Sequence, residues 1–354
     1  MSSQAVGLPG NASDRRGTSP IIRWAARNAR IVAPLMTLIV EIIFFTIATD
    51  NFLSATNLRN VISQVGPVAV AATGITFVLL CAEIDLSIAS ISVLCGIVST
   101  YIFSNSWHGL GQWGILIAAL VGAGVGLING FFICYVGIPS FMMTLAMLTI
   151  AKGMGTFITQ GKPIFDAPPF METLASVSTR HIHLWGLGDI PLGIPVIGYV
   201  AVGFLILGEI ILTATKFGRY VYMTGGNREA AEMSGIDTRR VLLNVMMISG
   251  FTAGVAGMLF VGRLKSANPQ SGANLLIDTI AAVVLGGTSL FGGEGGMKNT
   301  ALGLLIFAFL SNGLNLMPNV SIYFKEALQG IILVAALVLN VIALRLEKVQ
   351  IQTE

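Results

Sequence analysis

The amino-acid sequence predicts an all-α polytopic membrane protein with about ten transmembrane helices, two of them broken or re-entrant and arranged as a pseudo-repeat. Three observations carry this reading. Hydrophobic residues make up 54% of the 354 residues and arrive in runs of about twenty, the length that crosses a bilayer. Charged residues make up 10%, far below the roughly 25% of soluble domains. Two stretches, LLCAEIDLSIASIS from Leu79 and LGGTSLFGGEGGM from Leu285, set a polar, glycine- or serine-rich break between apolar runs at corresponding places in the two halves. Paired interruptions of this kind point to a translocation path near the bilayer midplane. The net charge of +3 is too small and too scattered to imply nucleic acid.

Residues 1–30 are polar and carry Arg15 and Arg16, which reads as a disordered cytoplasmic tail. The membrane region follows over residues 31–344. Ile31 to Thr49 is the first span, too late and too long for a cleaved signal peptide, and Glu41 within it is expected to face the bundle interior. Asn51 to Gly66 is polar and amphipathic and is placed on the outer face. Pro67 to Ala82 and the run ending near Ser104 flank EIDLSIAS, whose two carboxylates demand a non-helical break buried in protein or lining a wet cavity. Gln112 to Ile138 carries Gly122, Gly124, Gly126 and Gly130, two overlapping GxxxG spacings that permit close helix approach. A turn at Gly137-Ile138-Pro139 leads to a fifth run through Ile158.

Residues 159–194 form the longest polar segment and read as an extracytoplasmic loop; His181 and His183 within it lack the third ligand a metal site needs. Pro195 to Thr213 is the sixth span and Val241 to Gly262 the seventh. Then come a polar entry, a short apolar core and the glycine-rich exit at Gly286–Gly296. Thr300 to Met317 and Glu326 to Leu344 complete the spans, before a cytoplasmic tail over 345–354. Cys81, Cys95 and Cys134 lie in apolar runs and read as small buried side chains. With the N-terminus inside and ten spans, thirteen Lys and Arg fall inside and seven outside, as the positive-inside rule requires.

The exception to this apolar pattern is the cytoplasmic loop over 214–240. From Lys216 to Asp237 it carries Lys216, Arg219, Arg228, Glu229, Glu232 and Asp237, with paired glycines at Gly225 and Gly226. Asn227 is placed to cap a helix of about two turns, Glu229 to favour its positive end and Gly235 to end it in a left-handed turn. So short a helix needs packing from its own bundle or from a partner.

This stretch resembles the coupling loop of ABC-importer permeases, whose Glu-Ala-Ala and following Gly match Glu229, Ala230, Ala231 and Gly235. Three more stretches extend the resemblance to the ribose-type monosaccharide permeases, within the broad family that includes branched-chain amino-acid permeases. They are Ile84-Asp85-Leu86-Ser87, Ile280 to Gly293, and Asn312-Gly313-Leu314-Asn315-Leu316, so that the likeness spans about Asn51 to Asn340. Two departures stand out. The family usually has Gly-Gly before Ile-Asp-Leu-Ser and Gly after it, where this chain has Ala82, Glu83 and Ala89. It often has a Glu near Leu275 or Leu276, where Asp278 is the nearest carboxylate.

The resemblance implies a permease subunit in a bacterial inner membrane, both termini cytoplasmic, moving a small sugar inward as a homo- or heterodimer. Two ATPase subunits carrying ATP-Mg would dock on Gly225, Gly226, Asn227, Glu229, Ala230, Ala231, Met233 and Gly235, and an extracytoplasmic sugar-binding protein would deliver the solute. The chain has no phosphate-binding loop of its own, since Gly161-Lys162 is followed by Pro163 and lacks the preceding glycine, so no enzymatic role is expected. Glu83, Asp85, Ser87, Thr288 and Ser289 are the expected path residues, or else they satisfy backbone groups freed at the breaks. The alternative is an ion-coupled secondary transporter, for which Glu41, Glu83, Asp85, Glu209 and Asp278 supply intramembrane carboxylates but which leaves the coupling-loop match without a reason.

Overall fold

The structure, a computed structural model, describes residues 29–105, 113–165, 167, 182–184, 188–190, 194–272, 274–318 and parts of 321–338. The tails over 1–28 and 345–354, His181, most of the loop over 159–194 and much of the expected last span from Glu326 to Leu344 lie outside the described residues.

In chain order the elements are α1 (Ala29–Ala48), α2 (Ala55–Leu80), α3 (Ile88–Asn105), α4 (Gly114–Phe131) with a π-helical turn at Phe132–Val136, and α5 (Ser140–Thr159). A two-stranded hairpin of β1 (Ile182–Leu184) and β2 (Gly188–Ile190) follows, antiparallel with His183 opposite Asp189. Then come α6 (Val196–Ala214), α7 (Lys216–Gly226), α8 (Arg228–Met233), α9 (Thr238–Leu264), α10 (Leu275–Leu285) and α11 (Met297–Leu316).

Six helices among the described residues are long and apolar enough to cross a membrane: α2, α4 with its π turn, α5, α6, α9 and α11. Val32–Ala48, Ile88–Ser104 and Leu275–Leu285 are shorter apolar helices. Of the ten expected spans, six are thus long apolar helices among the described residues and three more coincide with the shorter ones.

The expected division at Pro67 is not observed. Ser54 caps α2 by accepting from the Asn57 N–H, and the helix runs unbroken through Pro67, with Gly66 to Leu80 buried throughout. A proline interior to a membrane helix is tolerated where neighbours enclose it, and here α6 does so, with Ile197 against Gly66. Asn51 to Gly66 thus supplies the first three turns of a core helix in place of a separate outer-face segment.

Helix α9 is the centre of the bundle, packed on α2, α3 and α4. The glycine spacing on α4 does what it implies. A Cβ at Gly122 would lie 2.1 Å from the Gly250 carbonyl oxygen, and one at Gly126 would lie 2.3 Å from that of Met246. Gly124, on the opposite helix face, meets nothing within 4 Å.

Helices α2 and α11 run antiparallel. At one end the Asn57 and Asn312 amides exchange two hydrogen bonds of 2.7 and 3.0 Å, and at the other the Thr76 and Thr300 hydroxyls are bonded at 2.7 Å. The end carrying residues 214–238 is called proximal below, and the end carrying Asn57 and Asn312 distal. On α1, Glu41 is buried as expected, and neither carboxylate oxygen has a hydrogen-bond partner among the described residues. It borders an otherwise largely apolar cavity of about 670 Å³ between α1, α11 and the helical residues beyond 323.

The two breaks differ from each other. Residues 81–87 lie at the proximal end of the 26-residue α2, not midway along a span. The half-length helix is α10, of 11 residues. Its entry folds back beside α3: Ala267 pairs with Ile164, and Gly272 sits against Val93 and the Ala89 carbonyl. Ser92 meets Gly257 of α9, seven residues before the end of α9, so Gly272 lies beside the part of α3 that packs on α9.

Candidate functional site

The polar residues singled out in the sequence converge at the proximal end. Helix α7 begins at Thr215, whose hydroxyl accepts from the Gly218 N–H at 3.1 Å. Gly218, Val221, Thr224 and Gly225 are buried at three- and four-residue spacing, which turns one face of α7 inward. Read as sequence, Lys216–Gly226 gave charges and paired glycines but no helix; that spacing is the signal that was there to be found. A Cβ on Gly225 would lie 1.7 Å from the Leu80 carbonyl oxygen, so α7 rests directly on the end of α2, whereas Gly226 meets nothing within 4 Å.

Helix α8 has the caps expected of it. The Asn227 side chain accepts from the Ala230 N–H at 3.0 Å, Glu229 lies in the first turn, and Gly235 takes φ +81° while the Ile236 N–H returns to the Ala231 carbonyl. Ala231 and Ile236 are buried. Glu229, Ala230 and Met233 are exposed, Met233 to 84%. Glu232 is tied to Thr238, whose hydroxyl donates to it at 2.6 Å, and Asp237 caps α9. The two-turn helix is therefore held by its own bundle on one side and bare on the other.

Beneath it lies the turn 81–87. Ala82 adopts φ +59°, a left-handed conformation that a residue with a Cβ seldom takes. Glu83 is largely buried and pairs with Arg228 of α8 at 2.6 Å. Asp85 is 2% exposed; one oxygen accepts from the Ser87 N–H and hydroxyl at 2.8 and 2.5 Å, and the other from the Ser249 hydroxyl of α9 at 2.7 Å. Asn129 of α4 donates to the Ser87 oxygen at 3.0 Å. Ile84 N–H reaches the Ser140 hydroxyl at the start of α5. Asn129 thus bonds across to the start of α3, as Asn312 does to α2, the usual use of an amide on an apolar helix.

The second turn, 286–296, closes over the first. The Gly293 N–H donates to the Leu80 carbonyl at 2.9 Å. Gly292, at φ +83°, packs against Gly225 and Ala82 with no room for a side chain. Thr288 is buried and its hydroxyl accepts from the Gly296 N–H, while Ser289 shapes the tip by accepting from the Phe291 N–H and donating its own N–H to Glu294. Phe291 at that tip is 91% exposed. Tyr222 of α7 donates to the Gly295 carbonyl at 2.9 Å; burial first, and then the Glu209 carboxylate, push its phenol above the usual range. Lys298 pairs with Glu209 at 3.2 Å, tying α11 to α6.

All five expected path residues and all eight expected coupling residues thus lie in one proximal assembly, in which α7 touches both breaks and α8 the first.

The family described as branched-chain amino acid transport system / permease component matches residues 57–337. The chain is 33% identical to the ribose import permease protein of Escherichia coli (strain K12), over 86% of this chain and 92% of that one. It is 35% identical to the ribose import permease protein of Bacillus subtilis (strain 168), over 87% and 92%. It is 30% identical to the xylose transport system permease protein of Escherichia coli (strain K12), over 87% and 91%. No solved structure matches the chain.

Proposed function

The chain belongs to the branched-chain amino acid transport system permease component family, and from that premise we propose that it is the membrane subunit of an ATP-driven importer of a monosaccharide-like sugar. It is a transport component and not itself an enzyme. ATP-Mg is bound and hydrolysed on separate ATPase subunits, a second permease copy or sister subunit completes the pore, and an extracytoplasmic binding protein delivers the sugar. The substrate class rests on the ribose and xylose permeases to which the chain is similar.

The observation that carries the coupling assignment is α8. A capped two-turn helix continues from α7, which lies on both proximal turns, pairs with Glu83 of the first turn through Arg228, and leaves Glu229, Ala230 and Met233 bare. A partner that grips this face acts on the bundle through a rigid handle. The proximal end is then the cytoplasmic one, in the inner membrane of a bacterium, with both termini on that side. Glu83, Asp85, Ser87, Thr288 and Ser289 form the inner closure of the path, and α10 with its folded-back entry serves as the re-entrant segment.

The test is co-purification from membranes in mild detergent. An ATPase subunit retained by the native chain and lost on Glu229→Lys supports the reading, and Gly235→Pro should likewise leave the protein inserted but uncouple uptake from ATP hydrolysis. Normal ATP-driven uptake by both variants would sink the docking assignment.

A further inference from the structure

The structure assigns Glu83 a positioning role: its ion pair with Arg228 is a latch that makes the inner turn of the bundle follow the docking helix. This rests on the reading of α8 as the ATPase-docking element and names the contact through which docking acts.

Helix α8 has three routes to the interior. Two are covalent, through Ser234–Asp237 into the start of α9 and back through Asn227 into α7, whose Gly225 abuts Leu80 and Cys81. The third is Arg228, which reaches across to Glu83 at 2.6 Å, a charge-assisted contact whose acceptor side chain is only 11% exposed. What lies behind Glu83 separates this pair from an ordinary surface ion pair. Two residues on, Asp85 holds Ser249 of α9 with one oxygen and Ser87 with the other, and Ser87 is held in turn by Asn129 of α4. The backbone between them is fixed to α5, the Ile84 N–H bonding to Ser140 and the Ile84 carbonyl accepting from Thr144. A displacement of Arg228 therefore pulls on a turn of seven residues that is bonded to three helices. Without the pair, α8 pulls on α9 through the chain and meets the turn only by way of α7, whose contact with Leu80 and Cys81 is packing that can push but holds no charge-assisted bond.

The consequence is specific. Glu83→Gln should leave α8 folded and docked, since its cap at Asn227 and its buried Ala231 are untouched. It should remove the charged contact between α8 and the 81–87 turn, and with it most of the turn's response to the state of the ATPase.

The experiment is hydrogen exchange on the permease–ATPase complex in detergent, with and without ATP plus vanadate, read at α8 and at Cys81–Ser90. The native complex should change exchange at both places when the nucleotide is trapped. Glu83→Gln should keep the change at α8 and lose most of it at Cys81–Ser90, and the charge swap E83R with R228E should restore it. Should Glu83→Gln fail to fold, Arg228→Gln removes the same pair from its more exposed end. An undiminished response of the turn in these variants, or no recovery in the charge swap, overturns the latch while leaving docking intact. If no ATPase accompanies the native chain, the docking reading itself fails, and the latch with it.

Discussion

Gly225 and Gly226 are adjacent, both within α7 and both in the stretch proposed to couple, yet they should respond oppositely to the same substitution. A methyl on Gly225 would sit 1.7 Å from the Leu80 carbonyl oxygen and 2.9 Å from the Cys81 Cα. Ordinary carbon contacts begin near 3.4 Å, so α7 would have to retreat from α2 by about 1.5 Å. The obstacle is backbone, which no rotamer change can relieve. Forcing such a displacement costs about 1–3 kcal/mol. The same carbonyl accepts the Gly293 N–H, and loosening that bond adds about 1 kcal/mol. Gly225→Ala should therefore destabilise the bundle by roughly 2–4 kcal/mol on these two terms. Gly226→Ala meets open space and gains helix propensity, so it should be neutral or stabilising by up to ~1 kcal/mol. Thermal melting of the purified protein in detergent, followed by tryptophan fluorescence, should rank Gly225→Ala well below the native chain and Gly226→Ala level with it or above. Equal Tm values for the two variants would refute the close packing of α7 on α2, and with it the contact between the docking element and the first turn.

Two further substitutions test the same region and the outer helix. Ala82→Gly removes the penalty of φ +59° and should leave Tm unchanged or raise it by the equivalent of up to ~1 kcal/mol, the gain being partly offset by the freer unfolded chain. Ala82→Val should lower it, and a Tm for Ala82→Gly below the native value would contradict the left-handed turn. Glu41→Leu exchanges a buried carboxyl that has no partner among the described residues for an apolar side chain beside an apolar cavity, and should stabilise by about 1–3 kcal/mol. A lower melting temperature for that variant would mean that the carboxyl has a partner.

What the sequence made legible followed from local chemistry. Asn227, Glu229 and Gly235 define α8 because caps and left-handed turns are set by residues within a few positions of one another. The four-residue spacing of Gly122, Gly126 and Gly130 marks one helix face, which is why the close approach was visible even though its partner, α9, was not. The depth of each break was not legible. EIDLSIAS looks like an interruption of a span, but whether it lies in mid-membrane or at a helix end depends on where α2 begins, and Pro67 concealed that α2 starts at Ala55. The destination of the carboxylates was also hidden. Glu83 and Asp85 stand two residues apart, yet one turns outward to Arg228, 145 residues away, and the other inward to Ser249, 164 residues away. No pattern in a window of twenty residues contains those partners.

The Asn57–Asn312 pair bears on how the molecule is made. Synthesis is vectorial, and the two amides are 255 residues apart in the chain. Helix α2 therefore leaves the ribosome long before α11 exists, and its other neighbours α6, α9 and α10 also follow it. Until they arrive, one of the two most enclosed helices of the finished bundle must be kept away from lipid with the mutual bonds of its asparagine unmade, a costly state in hydrocarbon. The insertion machinery, or water beside it, has to hold α2 in waiting, and assembly is completed from the carboxyl-terminal third backwards. A chain interrupted before Met297 would lack the helix that closes this seam, so the late segments govern whether the early ones survive quality control.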